Sequence, residues 1–474
     1  MNRNNIWVHI GIAAVLISFA AVIGQIDRWR SALRVQDTTS PRVKAPKPPT
    51  LARSSADTEP EVLVRFKSGL TVADIKRIAS RNNDRVEDEI ESVSGLVAID
   101  DLDNANAEDV ARQYEAMADY VAYAEPNYEI RLDDPVNHND RKRDQAPSRL
   151  GVPNDPLFNE QWALNNTGQN GGKANAHLDA LKAWAKTQGS SDVVVAVLDT
   201  GVDYNHKDLV SNMWIRPDNV PEYVDDELGS FDDSRGFDAN TNAADPMDDN
   251  GHGTHVAGII GAEGDNGEGI AGINWNVQIM PLKFLGRGGF GSTKNAIEAI
   301  NYAIDRKKNG VNVRVINASW GSTQRSKALE DAIRAAGDAG ILFVAAAGNS
   351  STDNDRRGHY PSNYDLPNVV SVAALDRNDL LATFSNYGAK TVHVAAPGRE
   401  ITSTWLNDEY REASGTSMAA PQVSGVAALI LASEPDLSMS KVRERLMRSV
   451  DPIGALLGKV VVGGRLNAAK ALGD

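Results

Sequence analysis

An unbroken apolar run at residues 193–198 constrains the fold of this 474-residue chain more than any other feature. Such a run is typical of a strand buried on both faces of a parallel sheet, because a half-exposed strand alternates apolar with polar residues. Further apolar runs alternate with helical segments at 277–284, 295–307, 313–318, 326–338, 341–346 and 369–374. This alternation predicts an α/β fold, a doubly wound parallel sheet with helices on both faces.

Three polar residues stand at the ends of such segments. Asp199 comes just past the first strand, where open α/β sheets place their ligands and catalysts. His252 stands between glycines at the start of an apolar helical stretch, and we expect Ser417 to cap another, with Pro421 in its first turn. Taken singly, Asp199 is typical of a turn, His252 of a packing or capping histidine, and Ser417 of a helix cap. Together they supply the carboxylate, base and nucleophile that acyl transfer needs.

The motifs at residues 197–203, 252–258 and 415–421 resemble those of subtilisin-type serine proteases, the subtilase family. The resemblance covers about residues 154–471, and within the family the chain is most similar to bacterial thermitase-like enzymes. The chain order Asp, His, Ser is the order known for subtilisin itself.

The resemblance implies a serine endopeptidase that hydrolyses peptide bonds through an acyl-enzyme. Asp199, His252 and Ser417 would form its triad, and Asn349, which follows an apolar strand, matches the family's oxyanion-hole asparagine. The alternative is a catalytically inactive protein of the same fold that serves as a binding module.

The resemblance also places an extended substrate between a glycine-rich edge and the segment that faces it. The substrate-binding residues it implies are Gly289, Gly291, Ser319, Trp320, Gly321, Ala347, Gly348 and His359. Main-chain hydrogen bonds to such a substrate predict broad specificity. The small size of most of these residues predicts an apolar side chain at P1, the residue before the cleaved bond. His359 departs from the smaller residue at the pocket base of many relatives, which leaves the depth of the pocket open.

Calcium is the cofactor that the resemblance implies, since such sites use oxygen ligands. The implied ligands are the side chains of Gln161, Asp208 and Asn266 and the carbonyls of Gly264, Glu268 and Ile270. A second, weaker candidate is the oxygen-rich run before His252, which contains Asp238, Asn240, Asn242, Asp245 and Asp248.

The N-terminus predicts export. Residues 7–24 are apolar apart from His9 and Ser18, so residues 1–27 are expected to be a signal peptide or an uncleaved membrane anchor. Residues 28–58 are rich in Pro, Lys, Ser and Thr and are expected to be a linker. We therefore expect a secreted or cell-envelope protein, periplasmic or extracellular.

The segment between this linker and the catalytic domain predicts a zymogen. Residues 59–132 show the order strand, helix, strand, strand, helix, strand, typical of a ferredoxin-like α+β unit. Residues 121–128 resemble the end of a subtilase propeptide, so the unit is expected to inhibit the enzyme intramolecularly. The polar residues 133–153 are expected to be a cleavage linker before the catalytic domain, 154–474.

The amino-acid composition limits the classes of molecule that the chain can bind. A net charge of −15 argues against nucleic acid, which is bound by clustered cations. The absence of cysteine excludes disulfides and cysteine-based zinc sites. The expected partners are protein or peptide substrates and the chain's own propeptide, and the mature enzyme is expected to be a monomer.

Overall fold

The computed structural model describes residues 61–133, 152–225 and 229–473. The predicted signal segment, the linker after it and most of the predicted cleavage linker lie outside these residues. The described parts belong to one unit, Pro60–Asp474.

The N-terminal part is the predicted ferredoxin-like unit. Its elements are β1 (Val62–Phe66), α1 (Val72–Arg81), β2 (Asp84–Glu89), β3 (Leu96–Asp101), α2 (Ala107–Glu115) and β4 (Val121–Pro126). The strands form an antiparallel sheet in the order β2-β3-β1-β4. Ile75, Ala79 and Tyr114 from the two helices are buried against it, so one small core holds this unit together.

A nine-stranded sheet forms the centre of the C-terminal part. Its strands are β6 (Gly189–Asp199), β9 (Phe237–Asp238), β10 (Asn276–Lys283), β12 (Val313–Ala318), β13 (Leu342–Ala346), β14 (Val369–Leu375), β15 (Val394–Pro397), β18 (Val450–Pro452) and β19 (Gly464–Leu466). They lie in the order β18-β19-β15-β14-β13-β12-β6-β10-β9, and only the β18–β19 pair is antiparallel.

Helices cover both faces of this sheet, as predicted. They are α3 (Ala180–Trp184), α4 (His252–Gly261), α5 (Thr293–Lys308), α6 (Lys327–Asp338), α7 (Thr416–Ser433), α8 (Met439–Arg448) and α9 (Ala468–Ala471). In β6, residues 193, 195 and 197 join the core beneath α4 and α7, whereas residues 194, 196 and 198 join the core beneath α5 and α6. Burial on both faces explains why this strand is apolar without interruption.

The remaining short strands lie outside the central sheet. They are β5 (Glu129–Arg131), β7 (Tyr223–Asp225), β8 (Gly229–Phe231), β11 (Phe290–Ser292), β16 (Ile401–Trp405) and β17 (Glu409–Ala413). Short 3₁₀ turns occur at Phe158–Glu160, Gln169–Gly171, Val210–Asn212 and Gly454–Leu456. Within the described ranges, α7 alone is long and apolar enough to cross a membrane, and 89% of that stretch is buried inside the protein.

Candidate active site

Asp199 is the last residue of β6, at the edge of the sheet where parallel strands end. Its side chain is fully buried. Oxygen Oδ1 accepts the N–H of Thr200 at 2.8 Å and lies 2.7 Å from Nδ1 of His252. Because a carboxylate can only accept, this contact holds the imidazole with its proton on Nδ1.

His252 is the first residue of α4, and its ring is only slightly exposed. The N-cap before it is Gly251, whose φ of 108° favours glycine. Burial lowers the pKa of His252, but the charge and hydrogen bond of Asp199, with the charges of Asp248 and Asp133, outweigh it and raise the pKa above its usual value. The environment therefore favours an imidazolium once Nε2 takes up a proton.

Asp248 joins the segment after β6 to the N-terminus of α4, a role that the sequence interpretation missed. Its buried Oδ1 accepts the Thr200 hydroxyl at 2.9 Å and the Gly251 N–H at 3.0 Å. Oxygen Oδ2 accepts the N–H and the hydroxyl of Thr254 at 3.0 and 2.7 Å. These bonds fix the two backbone segments that carry Asp199 and His252.

The oxygen-rich run before His252, the weaker candidate for a cation site, is not assembled into one. Asp238 accepts from the backbone N–H groups of Asn240 and Thr241, and Asp245 accepts from the Tyr204 hydroxyl. The carboxylates of this run thus serve separate turns. Across the described ranges no three His, Asp or Glu side chains form a metal-binding group.

Ser417 lies inside the first turn of α7, not at its cap as predicted, because Gly415 is the N-cap and α7 begins at Thr416. Its hydroxyl donates to the carbonyl of Ser319 at 3.0 Å. Pro421 falls in the second turn, not the first, and has no N–H for the Ser417 carbonyl. The Ser319 hydroxyl donates to that carbonyl at 2.8 Å instead, so Ser319 holds Ser417 at two points.

Asn349 follows β13, as predicted. Its Oδ1 accepts the N–H and the hydroxyl of Thr416 at 2.8 and 3.0 Å. These bonds use the carbonyl end of the amide and leave Nδ2 as the group that can donate to a ligand. Asn349, His252 and Ser417 line one cavity of about 270 Å³.

The end of the N-terminal unit occupies the groove beside this cavity. Strand β5 pairs antiparallel with β11, which contains Gly291. Arg131 forms a bridge with Gly321 on the facing segment, and the Leu132 N–H donates to the carbonyl of Gly289 at 2.9 Å. Residues 129–132 are therefore a middle strand between the two segments that the sequence predicts to hold a substrate.

The predicted pocket contains His359 next to the end of this strand. Its Nε2 lies 3.5 Å from Oδ1 of Asp133. The His359 ring packs closely against two glycines. A Cβ atom added at Gly321 would lie 2.0 Å from the nearest ring atom, and one added at Gly348 would lie 2.9 Å from it. The Asp133 side chain at the end of the strand thus faces an imidazole and not an apolar surface.

Two other residues predicted to line the pocket make their hydrogen bonds outside it, one through its side chain and one through its carbonyl. The Trp320 side chain is buried beneath the groove, and its Nε1 donates to the carbonyl of Leu198 at 2.9 Å. Ala347 is fully buried, and its carbonyl accepts the side-chain amides of Asn354 and Asn386. Neither residue lines the cavity that contains Ser417.

Asp208, a predicted calcium ligand, is close to a second buried carboxylate that the sequence interpretation missed. Asp208 accepts from the Asn266 amide at 2.9 Å and from the Ile270 N–H at 3.0 Å. Asp155 is buried, and its Oδ2 accepts the Asp265 N–H at 2.8 Å. The Asp155 Oδ1 atom is buried without a hydrogen-bond partner within the described ranges.

The electrostatics of this pair fit a hard cation. Burial, together with the charge of Asp208, raises the pKa of Asp155 to about 6. Burial likewise raises the pKa of Asp208. A divalent cation would neutralise both carboxylates and would bind the unused Asp155 oxygen. One carboxylate at the start of a domain carries no sequence signal of its own, which is why Asp155 was missed.

The other predicted calcium ligands are used differently. Both ends of the Gln161 amide are hydrogen-bonded to the backbone of Ala271, at 2.8 and 2.9 Å. The Asn266 amide is also used at both ends, since Nδ2 donates to Asp208 and Oδ1 accepts the Glu268 N–H at 2.8 Å. Asp155 is therefore a better candidate side chain than Gln161. The carbonyls of Gly264, Glu268 and Ile270 stay predictions.

Comparisons with known families agree with this architecture. The Subtilase family model matches residues 190–468, and the model of the fervidolysin N-terminal prodomain matches residues 51–127. A solved structure of fervidolysin from Fervidobacterium pennivorans, a keratinolytic enzyme related to subtilisin, is similar with a TM-score of 0.67 and 25% identity. The similarity covers 88% of this chain and 61% of that one.

Curated relatives are peptidases as well. A thermophilic serine proteinase of Bacillus sp. (strain AK1) is 34% identical over 424 residues, 87% of each chain. Subtilisin-like protease 2 of Plasmodium falciparum is 40% identical over 51% of this chain, which spans 17% of that protein. The halolysin-like extracellular serine protease Nep of Natrialba magadii is 36% identical over 64% of this chain and 50% of its own length. The chain belongs to the subtilase family of subtilisin-like serine proteases and carries an N-terminal prodomain.

Proposed function

We propose that Ser417, His252, Asp199 and Asn349 are the catalytic residues of this serine endopeptidase. The observation that carries the proposal is the 2.7 Å contact between the buried Asp199 and His252, beside a cavity that His252, Ser417 and Asn349 share. Leu132 and Asp133, at the end of the prodomain strand, line this same cavity.

The chemistry begins at the Ser417 hydroxyl. It turns from the Ser319 carbonyl, gives its proton to Nε2 of His252 and attacks the substrate carbonyl carbon. Asn349 Nδ2 and the Ser417 N–H donate to the oxyanion that forms. His252 then protonates the leaving amine as the C–N bond breaks. Water, activated by His252, hydrolyses the acyl-enzyme to a carboxylate and the free hydroxyl.

We further propose that the prodomain, residues 59–132, inhibits the enzyme until the chain is cut. Its last strand fills the groove, and Glu125 binds the N-terminus of α6. Glu125 accepts from the Ser326 hydroxyl at 2.5 Å and from the N–H groups of Lys327 and Ala328 at 2.9 and 3.1 Å. A buried carboxylate at a helix N-terminus is a favourable anchor.

The prodomain also binds the neighbouring helix α5. The side chain of Asn127 accepts the Lys294 N–H at 2.9 Å, and the carbonyl of Tyr128 accepts the Thr293 N–H at 2.9 Å. These contacts fix the start of β5 and thereby position the end of this strand next to Ser417. Cleavage after Asp133, at the start of the linker 133–153, would detach the prodomain from the catalytic domain.

Two features of the precursor and the mature enzyme belong to the same proposal. The apolar residues 7–24 and an extracellular relative support export, with the mature protease acting outside the cytoplasm. A structural calcium ion would be held by the carboxylates of Asp155 and Asp208, where one buried carboxylate oxygen lacks a partner. The ion would tie the start of the catalytic domain to the loop that contains Asn266.

A fluorophosphonate probe tests the catalytic assignment directly. The processed wild-type chain should be labelled on Ser417 and should lose its hydrolysis of casein in proportion to labelling, because only an activated serine reacts readily. Denatured protein is the control, since unfolding separates His252 from Ser417. A folded, processed chain that takes up no label would instead favour the inactive binding module.

A further inference from the structure

The register of the prodomain strand identifies the residue that fills the P1 position. Arg131 pairs with Gly321 on one wall of the groove, and Leu132 bonds the glycine-rich edge on the other. Because neighbours in an extended strand alternate, Asp133 returns to the Gly321 wall. Asp133 also lines the cavity that contains Ser417, so the carbonyl of Asp133 is the one presented to the nucleophile.

The side chain that receives Asp133 is a buried histidine without another partner. His359 is 6% exposed, and neither of its ring nitrogens is hydrogen-bonded within the described ranges. The Asp133 Oδ2 atom is likewise buried and unbonded, and Oδ1 lies 3.5 Å from His359 Nε2. An imidazole N–H donates and a carboxylate only accepts, so the two groups are chemically complementary.

An apolar P1 side chain would not satisfy this pocket. It would cover both nitrogens of the His359 ring with carbon and leave a buried N–H unpaired, which costs free energy. The His359 ring cannot move aside to make room for an apolar side chain, because it packs against Gly321 on one side and Gly348 on the other. The backbone of His359 is fixed as well, since its carbonyl accepts the Ser362 hydroxyl at 2.7 Å.

We propose that His359 makes this enzyme select an acidic P1 residue, aspartate first, so that its substrates are peptides and proteins cleaved after Asp. The proposal rests on the proposed protease function and replaces the apolar preference that the sequence predicts. It also defines the maturation site, because the chain carries its own matching residue, Asp133, at the end of the prodomain strand.

Peptides that copy residues 130–135 test the selectivity on the processed wild-type enzyme, with Asp, Asn, Leu or Phe at P1. The kcat/KM for Asp should exceed that for the isosteric Asn and for Leu by about 10- to 100-fold, the usual range for a charged hydrogen bond. Faster cleavage after Leu or Phe would overturn the inference but leave the protease assignment intact. Failure to cleave any of these peptides or casein would overturn both.

Variants of the full chain test the pairing itself through self-processing. Asp133→Leu and His359→Leu should each slow processing by about tenfold or more, whereas the double variant should recover most of the rate, because two apolar partners leave nothing unpaired. His359→Gln keeps an N–H donor and should process faster than His359→Leu. Asp119→Leu, an exposed carboxylate of the prodomain outside β5, is the matched control and should process normally. Purely additive losses in the double variant, with unchanged melting temperatures, would contradict the pairing.

Discussion

Glu298 shows how one side chain can make the prodomain interface sensitive to pH. It is 3% exposed on α5 and is close to Asp88 of the prodomain, which pairs with Lys294 at 3.2 Å. Burial, then the charge of Asp88, raises the pKa of Glu298 well above its usual value, against the opposing charge of Lys294. Burial raises the pKa values of Glu91 and Glu125 at this interface in the same direction.

Proton linkage sets the direction in which prodomain binding changes with pH. When the prodomain is bound, the raised pKa keeps a proton on Glu298. When the prodomain has separated and Glu298 is hydrated, the same carboxyl loses its proton at the ordinary pKa of a glutamate. Prodomain binding is therefore strongest below the ordinary pKa and weakens as pH rises through the raised pKa of the bound state. The prodomain retained by the processed enzyme should therefore decrease as pH rises above the ordinary pKa of a glutamate. Size-exclusion chromatography measures the retained fraction.

Glu298→Gln should flatten this pH profile but not abolish it, because Glu91 and Glu125 still titrate. Glu434→Gln, an exposed carboxylate far along the chain, should leave the profile unchanged. Retention that increases with pH, or that is equally steep in Glu298→Gln, would contradict the assignment of the proton to Glu298.

Side chains differ in how far their roles could be predicted from the sequence. Asp199, His252 and Ser417 stand in motifs long enough to be distinctive, and the structure brings the first two into contact. Asp155 and Asp248 are single carboxylates in polar segments, and only the folded chain shows which neighbours they bind. The contact between His359 and Asp133 joins distant parts of the chain, so no local pattern could indicate it.

Helices and strands were predictable where periodicity or burial was strong. The strand Val313–Ala318 has the predicted bounds, and most of the other helices and strands predicted in the catalytic domain differ by one or two residues at either end. The start of α7 was misplaced because Gly415, without a side chain to cap the helix, gives a weaker signal than Ser417. The pairing of β5 with β11 depends on two distant segments and was expected only through the family resemblance.

Calcium should stabilise the fold by joining the start of the catalytic domain to the loop at residues 264–270. An ion that binds only the folded state adds about 2.7 kcal/mol when its free concentration is 100 times Kd. In the full-length Ser417→Ala chain, which avoids autolysis, chelation should therefore lower the melting temperature by several degrees. Differential scanning calorimetry with and without chelator measures this shift.

Asp155→Asn and Asp208→Asn should each remove most of the response to chelator, since the cation would lose a charged ligand. Asp192→Asn, an exposed carboxylate on β6, should keep the full response. A melting temperature that is the same with and without chelator in the parent chain would refute the calcium site.

The precursor combines these parts into one mechanism. The prodomain anchors Glu125 and Asn127 at two helix ends of the catalytic domain and thereby lays Asp133 against His359, beside Ser417. In the proposed mechanism, the contacts that block the groove also present the bond to be cut. One arrangement of the prodomain strand would then account for both inhibition and maturation.

Intact-mass spectrometry of the full chain tests this mechanism most directly, with wild type and Ser417→Ala expressed side by side in a host without proteases that cut the linker. Wild type should yield a prodomain fragment ending at Asp133 and a catalytic fragment beginning at Asp134. Ser417→Ala should keep the bond between Asp133 and Asp134 intact, whatever the host does to residues 1–27. Cleavage of that bond in Ser417→Ala at the wild-type rate would contradict the account.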